Sequence, residues 1–320
     1  MKHDANICIC ICTHSRYDLL GRLLEALEKV DTGGELEGVN VEILFVDNSS
    51  CPKTKEKIQS IAPRFPISLR YVAEPERGIS QARNRAVQEA LASGADFIAF
   101  IDDDDLPTSN WLLELFSEQR RTDAHIVFGC WIMSSDMPGW VKKSGIFKTK
   151  KRGGGGKEKQ GSSKLPYMAS TCNVLIGREV FERSNFREFV FDPRLSYSGG
   201  EDKDFFIRAL QNGANITTAP NSIVIRNHDS KRYSVAGLLR RGFKNGCSHM
   251  KKARLQKGAL YSILFMFYSC VRWLVLLAAI PFCIFSKGLM MHQIYKLGKA
   301  SGAIYFFFTG VSYAYYRDGA

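Results

Sequence analysis

The chain has 320 residues, of which 45% are hydrophobic and 24% are charged, and this composition excludes a wholly disordered protein. Its length is sufficient for one large core or two modest domains. The formal net charge of +12 predicts an anionic partner, such as a nucleotide, a nucleic acid or an acidic membrane surface. No C-x-x-C pair occurs among the nine cysteines, which favours reduced thiols in a cytosolic protein over a zinc or disulfide framework.

Strand and helix signals alternate through the first hundred residues. They predict strands at 7–11, 41–46, 69–72 and 97–101 and helices at 19–27, 53–61 and 80–91. Such alternation is typical of an α/β fold with a mostly parallel sheet flanked by helices. Polar residues at three predicted strand ends, namely Thr13, Asp47 and the acidic run 102–105, indicate a nucleotide site, because these sheets bind ligands at the carboxyl ends of their strands.

Four consecutive aspartates, residues 102–105, directly follow the last of these strands. Like charges at this spacing repel one another, so the run is costly at the end of a buried strand unless a cation or a ligand offsets it. Hard divalent cations such as Mg²⁺ bind carboxylate oxygens and bridge them to substrate phosphates. A solvated acidic turn is the structural alternative.

Residues 139–166 interrupt this regular pattern. They contain nine Lys or Arg, one acidic residue and four consecutive glycines. Glycine and dense like charge both oppose packing, which predicts a mobile basic loop. Such a loop either has no role or closes over phosphates or an acceptor.

After the loop, the pattern predicts a strand at 172–176, a helix at 201–210 and a strand at 223–225. The helix begins in a second acidic element at 199–204. On a helix, Asp202 shares a face with Phe205 and Phe206, whereas Glu201 turns toward a more solvated side, so we expect Asp202 to enter a partly buried cleft. Stabilisation of the helix dipole by acids in the first turn is the alternative.

The last part of the chain predicts a basic, hydrophobic helical tail. Residues 260–285 are almost wholly apolar apart from Arg272, and the second apolar run, 302–316, is shorter than the roughly 20 residues that a spanning helix needs. Lysines on every side give no in–out assignment, and Arg272 at mid-bilayer would be costly. These features favour helices that lie in or dip into the cytoplasmic leaflet, with a buried hairpin of a soluble domain as the alternative.

Seven short motifs follow one another between residue 7 and about residue 245. They are 12–16, 46–50, 78–84, 100–105, 171–175, 200–204 and His228. Together they resemble the inverting glycosyltransferases of GT-A family 2, and among these the bacterial exopolysaccharide and cell-envelope sugar transferases. The resemblance implies a GT-A catalytic domain at 1–245, which carries the basic loop 139–166, and a membrane-associating tail at 246–320.

The resemblance also implies a role for individual residues. Asp202 would be the catalytic general base, which takes a proton from the acceptor hydroxyl during direct, inverting displacement. Asp104 and His228 would hold Mg²⁺ or Mn²⁺, and Asn173 and Glu201 would lie on the acceptor side. The residues expected to bind the nucleotide-sugar are Thr13, Arg16, Asp47, Arg83, Asp102 and Asp103.

The implied activity is metal-dependent transfer of a sugar from a nucleotide-sugar, expected to be a UDP-sugar, to a glycan or lipid-linked acceptor in polysaccharide biosynthesis. The enzyme would work at the cytoplasmic face of the inner membrane, held there by its tail on an anionic surface, with no nucleic-acid partner. Two alternatives remain. A nucleotidyltransferase would usually show a glycine-rich loop after the first strand, which residues 13–16 lack. A non-enzymatic basic scaffold on membrane or nucleic acid gives the acidic motifs no role.

Overall fold

The computed structural model describes residues 5–49, 51–135, 137–147, 169–182, 189–196, 199–226, 230–283 and 285–311. The strands are β1 (Asn6–Thr13), β2 (Asn40–Asp47), β3 (Ser68–Ala73), β4 (Phe97–Ile101), β5 (Asp105–Pro107), β6 (Ile126–Met133), β7 (Asn173–Gly177) and β8 (Ile216–Arg226). The helices are α1 (Tyr17–Leu27), α2 (Pro52–Ile61), α3 (Ile79–Ala92), α4 (Trp111–Thr122), α5 (Gly139–Ser144), α6 (Arg178–Phe181), α7 (Glu201–Gln211), α8 (Val235–Ala279) and α9 (Lys287–Thr309). The mobile loop predicted at 139–166 is wrong for residues 139–144, which form α5 with Val141 buried. Residues 148–166, His228 and 312–316 lie outside the described residues.

The described strands form one sheet in the order β3-β2-β1-β4-β7-β6-β8-β5. The first four of these neighbours are parallel. Strand β7 runs antiparallel to both β4 and β6, and β5 runs antiparallel to β8. The α/β class and the four strands predicted for the first hundred residues are therefore confirmed. The strand predicted at 223–225 is longer than expected, because β8 begins at Ile216.

Strand β1 shows how the sheet is buried on both faces. Ile9 packs with Leu23 of α1 on one face, whereas Cys8 and Cys10 pack with Ala86 of α3 on the other. Full burial of one such aliphatic side chain stabilises the fold by about 1.5–3 kcal/mol. Cys12 packs on the same face as Cys8 and Cys10, and all nine cysteines of the chain are free thiols.

Contacts within the chain define two compact units. The first consists of Met1–Ile132 and Lys150–Asn227, and the second of Met133–Thr149 and His228–Ala320. The first unit contains nearly all of the sheet, and the second contains α5, α8 and α9. The predicted functional division at residue 245 stays a prediction. The longer segment of the second compact unit starts before that division, at residue 228, and the same unit also includes α5.

In the second unit, glycines bring α8 and α9 into close contact. A Cβ atom added to Gly246 of α8 would collide with the carbonyl oxygen of Lys299, and one added to Gly302 of α9 would collide with that of Phe243. Small residues four positions apart allow two helix backbones to approach in this way. Residues 302–309 of the second apolar run accordingly belong to α9, which begins at Lys287 and ends at Thr309.

Helix α8 changes direction at Gly258, whose φ of 80° lies in the left-handed region that favours glycine. The segment that starts at this kink, Lys257–Ala279, is the one helix in the described residues that is long and apolar enough to cross a membrane. Its most apolar stretch has a mean hydropathy of 1.9 and is only 22% buried inside the protein. A core helix of a soluble protein would be mostly buried, so this surface needs another environment.

Candidate active site

The acidic run after β4 presents one open carboxylate. The Asp102 side chain is 39% exposed, whereas those of Asp103 and Asp104 are 9% exposed and Asp105 is almost fully buried. Asp105 is already the first residue of β5, which pairs with β8, so the run turns from one strand into the next. Asp102 is therefore the member of this run that a ligand in solution meets first.

Asp103 is held by the end of β1. The Thr13 hydroxyl donates to Asp103 Oδ2 at 2.8 Å, and Nη1 of Arg16 lies 2.5 Å from Oδ1. The same guanidinium nitrogen is 3.5 Å from Asp104. Burial raises the pKa of Asp103 to about 6, helped by the charges of Asp104 and Asp102 and opposed by Arg16 and Thr13. The nucleotide contacts predicted for Thr13, Arg16 and Asp103 remain predictions, and in the structure these residues bind one another.

Arg83 of α3 connects the two acidic motifs. Its Nη1 lies 2.6 Å from Oε1 of Glu201, and its Nη2 lies 3.8 Å from Oδ1 of Asp102. Burial disfavours the charge on Arg83, but the carboxylates of Glu201, Asp202 and Asp102 outweigh that effect and raise its pKa above the ordinary value. The guanidinium also lies 5.7 Å from the centre of the Phe191 ring. Arg83 is thus a permanent cation placed between acids from β4 and α7.

The start of α7 differs from the helical-face prediction. Glu201 is buried, at 7% exposure, whereas Asp202 is only half-buried, so the expected order of burial is wrong. The reason is that Glu201 is the first residue of the helix and is held inward by Arg83. The chain enters the helix through Gly200, whose φ of 102° is readily adopted only by glycine. Oε2 of Glu201 is buried and has no hydrogen-bond partner among the described residues.

Asp47 at the end of β2 is fully buried and organises the following turn. Its Oδ1 accepts from the backbone N–H and the hydroxyl of Ser49, at 2.8 and 2.6 Å. Its Oδ2 accepts from the Cys51 N–H at 2.9 Å and from the Tyr71 hydroxyl at 3.1 Å. These contacts are ordinary turn chemistry for an aspartate that follows a strand. Its predicted contact with the donor remains a prediction.

Asn173, predicted on the acceptor side, is only 2% exposed. Its Oδ1 accepts from the indole N–H of Trp111 at 2.8 Å, and its amide nitrogen donates to the carbonyl oxygens of Cys130 and Ser222. The side chain therefore ties β7 to β6, to β8 and to α4. Contact with an acceptor stays a prediction, and this burial favours a structural role.

Two residues at the site, Cys172 and Arg226, carried no signal in the sequence. Nε of Arg226, at the end of β8, lies 3.5 Å from Oδ2 of Asp105, and its guanidinium stacks 4.4 Å from the centre of the Trp131 ring. Cys172 precedes β7 beside the acidic run. Both come from segments that are distant in sequence, and only the order of strands in the sheet reveals that they meet.

A divalent cation fits part of this site. One ligand atom from each of Asp102, Asp105 and Cys172 lies within 4.8 Å of the others. Mg²⁺ and Mn²⁺ prefer oxygen ligands to sulfur. The two carboxylates, with Asp102 as the open one, are thus the suitable ligands. The predicted ligand Asp104 is not in this group, and His228 lies outside the described residues.

Comparison with known proteins shows the family to which this chain belongs. The model of glycosyl transferase family 2 matches residues 8–184. The succinoglycan biosynthesis protein ExoM of Rhizobium meliloti (strain 1021) is 29% identical over 259 residues, which are 76% of this chain and 74% of that protein.

Two solved structures share the fold. The mannosyltransferase PcManGT from Pyrobaculum calidifontis, in complex with GDP-Man and Mn²⁺, has a TM-score of 0.57 at 16% identity, covering 93% of this chain and 87% of that one. TarS 1–349 from S. aureus, in complex with UDP-GlcNAc, has a TM-score of 0.54 at 13% identity, covering 98% and 93%. The chain therefore belongs to glycosyl transferase family 2, and it is a glycosyltransferase with a GT-A-like fold.

Proposed function

We propose that this enzyme transfers a sugar, with inversion at the anomeric carbon, from a nucleotide-sugar to a glycan or lipid-linked acceptor in polysaccharide biosynthesis. The observation that carries the proposal is the position of Arg83 between Asp102 and Glu201. This arginine brings the acidic run after β4 and the acidic start of α7 to one place, as a reaction between a phosphate-bearing donor and a hydroxyl acceptor requires. The name of ExoM supports a role in polysaccharide biosynthesis.

The donor end of the site contains Asp102, Asp105 and Arg226. With Mg²⁺ or Mn²⁺ bound there, the cation would neutralise the charge that develops on the departing nucleoside diphosphate. Asp102 and Asp105 would hold it, with Asp104 and His228 as the ligands that family resemblance adds. The complexes of TarS with UDP-GlcNAc and of PcManGT with GDP-Man and Mn²⁺ support a nucleotide-sugar donor, and we expect a UDP-sugar here.

Asp202 is the general base in this proposal. Glu201 has one oxygen in the ion pair with Arg83 and is buried, whereas Asp202 is half-buried and can be approached by a hydroxyl group. Its backbone lies in the first turn of α7, where the helix dipole favours a carboxylate. The acceptor oxygen attacks the anomeric carbon on the face opposite the nucleotide as its proton moves to Asp202. The electron pair of the broken bond leaves with the nucleoside diphosphate.

We further propose that the second unit binds the cytoplasmic face of the membrane. Large apolar side chains of the segment Lys257–Ala279 are exposed, among them Leu260 at 72%, Val271 at 62% and Leu274 at 62%. The same unit is rich in Lys and Arg, which attract anionic lipid headgroups. Exposed apolar surface next to positive charge supports an interfacial position, peripheral or integral.

The test is calorimetric titration of UDP into the full-length protein with Mn²⁺, and then with EDTA. Metal-dependent binding, followed by turnover of a UDP-sugar into a product with inverted anomeric configuration, is the expected result. GDP and dTDP are the competing nucleotides. Failure of all three to bind, with or without a cation, would overturn the proposed donor class.

A further inference from the structure

The second unit has an unusual charge composition. Residues 230–311 contain 13 lysines or arginines and no aspartate or glutamate. Most of these cations lie in the first part of α8 or near helix ends, where solvent or headgroups can accept their charge. Arg272, Lys296 and Lys299 are different, because they lie within the apolar helical hairpin and are partly buried there. Of these three, Arg272 and Lys299 share a pocket.

Arg272 of α8 and Lys299 of α9 line the same shallow pocket. Its other walls include Gly246, Phe265, Tyr268 and Ser269. The two helices are joined close by, where the Trp273 indole N–H donates to the Ser301 hydroxyl at 3.0 Å. Burial, together with the nearby charge of Arg272, lowers the pKa of Lys299 below its ordinary value. The pocket therefore holds two cations that repel each other.

The described residues of this unit cannot neutralise that pair. They include no carboxylate, and the contact recorded for Arg272 is with the Tyr268 ring, 6.0 Å from its centre. A cation–π contact of this kind stabilises a guanidinium but carries no opposing charge. Two like charges in a partly desolvated pocket are costly unless an anion binds between them. The charge pattern thus indicates a ligand with a negative group.

The surroundings of the pocket indicate what is attached to that group. Next to it, α8 exposes Leu264 and Phe267 at 59% each and Val271 and Leu274 at 62% each. A free anion would gain nothing from this surface, whereas a hydrocarbon chain would. Arginine and lysine together are suited to phosphate oxygens.

We propose that Arg272 and Lys299 bind the phosphate or diphosphate group of a lipid whose hydrocarbon chain lies along the apolar face of Lys257–Ala279. Two neighbouring cations can each contact one phosphate of a diphosphate, so a polyprenyl diphosphate is expected to bind more tightly than a phospholipid headgroup. The inference rests on the proposed function for one point, which is that this lipid carries the glycan acceptor.

The test is flotation of the full-length protein with phosphatidylcholine vesicles that contain no further lipid, phosphatidylglycerol or a polyprenyl diphosphate. The variant Arg272→Gln/Lys299→Gln removes both cations from the pocket. The matched variant Arg254→Gln/Lys257→Gln removes two exposed cations of α8 outside it. Loss of charge-assisted contacts predicts a fall of about tenfold or more in affinity for polyprenyl diphosphate vesicles for the first variant only.

A third variant, Arg272→Lys/Lys299→Arg, keeps both charges and should keep most of the affinity. Competition by soluble diphosphate identifies the anionic group. A larger loss of affinity for polyprenyl diphosphate vesicles than for phosphatidylglycerol vesicles in the pocket variant identifies the lipid. Equal losses in the two glutamine variants would overturn the pocket and leave only general attraction to an anionic surface. Unchanged vesicle binding in the pocket variant, with its helix content intact by circular dichroism, would also overturn the pocket.

This measurement is independent of the donor site. UDP binding is recorded on the same samples and should be equal in all variants, because the pocket lies in the second unit. Loss of UDP binding by the wild type with retained lipid specificity would overturn the proposed function and leave the lipid-phosphate site standing. Retained UDP binding by the wild type without lipid specificity would overturn the lipid-phosphate site alone.

Discussion

Nη1 of Arg83 lies 2.6 Å from Oε1 of Glu201, although the two residues are 118 positions apart in the chain. Both side chains are 9% exposed, so the ion pair is largely removed from water. Asp102 completes the group at 3.8 Å from the other terminal nitrogen of Arg83. The pair therefore fixes the start of α7 against the helix that follows the third strand, and with it the position of Asp202.

Arg83→Gln should destabilise the protein strongly, because it leaves Glu201 buried without its cation. Removal of one partner of a buried pair costs about 3–5 kcal/mol. Arg85→Gln is the matched control on the same helix, since Arg85 is 36% exposed and its pair with Glu89 should contribute about 0–1 kcal/mol. Urea unfolding followed by tryptophan fluorescence measures both free energies. Similar values for the two variants would show that the Arg83 pair does not hold the site together.

Asp202→Asn should lower the rate of sugar transfer by about 10²–10⁴-fold, because general-base catalysis supplies a factor of this size. UDP affinity should hardly change, since the proposed function places this residue on the acceptor and not on the nucleotide. Asp204→Asn is the control: that carboxylate lies on the same helix turn and pairs with Arg208 at 2.8 Å. Transfer rate and UDP affinity are measured for both. A full rate in Asp202→Asn, or an equal loss in Asp204→Asn, would contradict the assignment of the base.

Asp102→Asn should reduce Mn²⁺-supported UDP binding by about tenfold or more, because a ligand oxygen for a hard cation is lost from the open carboxylate. Cys172→Ser should leave that binding nearly unchanged, because Mg²⁺ and Mn²⁺ prefer carboxylate oxygens to a thiol sulfur. Titrating Mn²⁺ at constant UDP measures the effect directly. A loss confined to Asp104→Asn, with Asp102→Asn unaffected, would return the metal to the residue that the family resemblance first indicated.

The alkaline pH dependence of stability should report the Asp47–Tyr71 contact. Burial, followed by the charge and the hydrogen bond of Asp47, raises the pKa of Tyr71 from 10.0 to about 12. An acid whose pKa is raised on folding contributes stability that is complete below its unfolded pKa and disappears as the pH rises through the folded one. This contribution should thus be present up to about pH 10 and vanish toward pH 12.

Tyrosinate absorbance, taken as the difference between wild type and Tyr71→Phe, isolates this one titration. In Asp47→Asn the same titration should move toward lower pH, because the neighbouring negative charge is removed while burial remains. An unchanged titration would mean that Asp47 is not the residue that controls Tyr71, and would free its carboxylate for the predicted contact with the donor.

Part of this fold could be predicted from local patterns. Strands β1 to β4 are short apolar segments between turn residues, and each ends where a polar residue begins. The apolar pattern and the flanking turn residues therefore predict the same strands. The sequence pattern predicts only residues 223–225 of the longer β8, because Thr217, Thr218 and Pro220 interrupt its apolar pattern. Pairing in the sheet, rather than intrinsic preference, extends that strand.

The site itself was less accessible to such reasoning. The order of burial of Glu201 and Asp202 was wrong because helical periodicity describes the middle of a helix, whereas a first-turn residue is positioned by the turn before it and by its partners. Nothing local distinguishes Asp102 from its three neighbours, since their exposure depends on how β5 leaves the run to pair with β8. Arg226 joins the site through that same pairing.

The antiparallel strand β7, inserted between β4 and β6, also has a consequence for the time at which the enzyme becomes competent. During synthesis the N-terminal segments emerge first, and the parallel strands β1 to β4 can pair once residue 101 has left the ribosome. Glu201, which pairs with Arg83, and Arg226, which faces Asp105, emerge about a hundred residues later. Contacts of such long sequence separation form slowly. A nascent chain should thus pass through a state with a half-built sheet, in which Arg16 and Arg83 already face the acidic run but Arg226 has not yet reached Asp105. It should gain the ability to bind nucleotide only after β8 has joined the sheet.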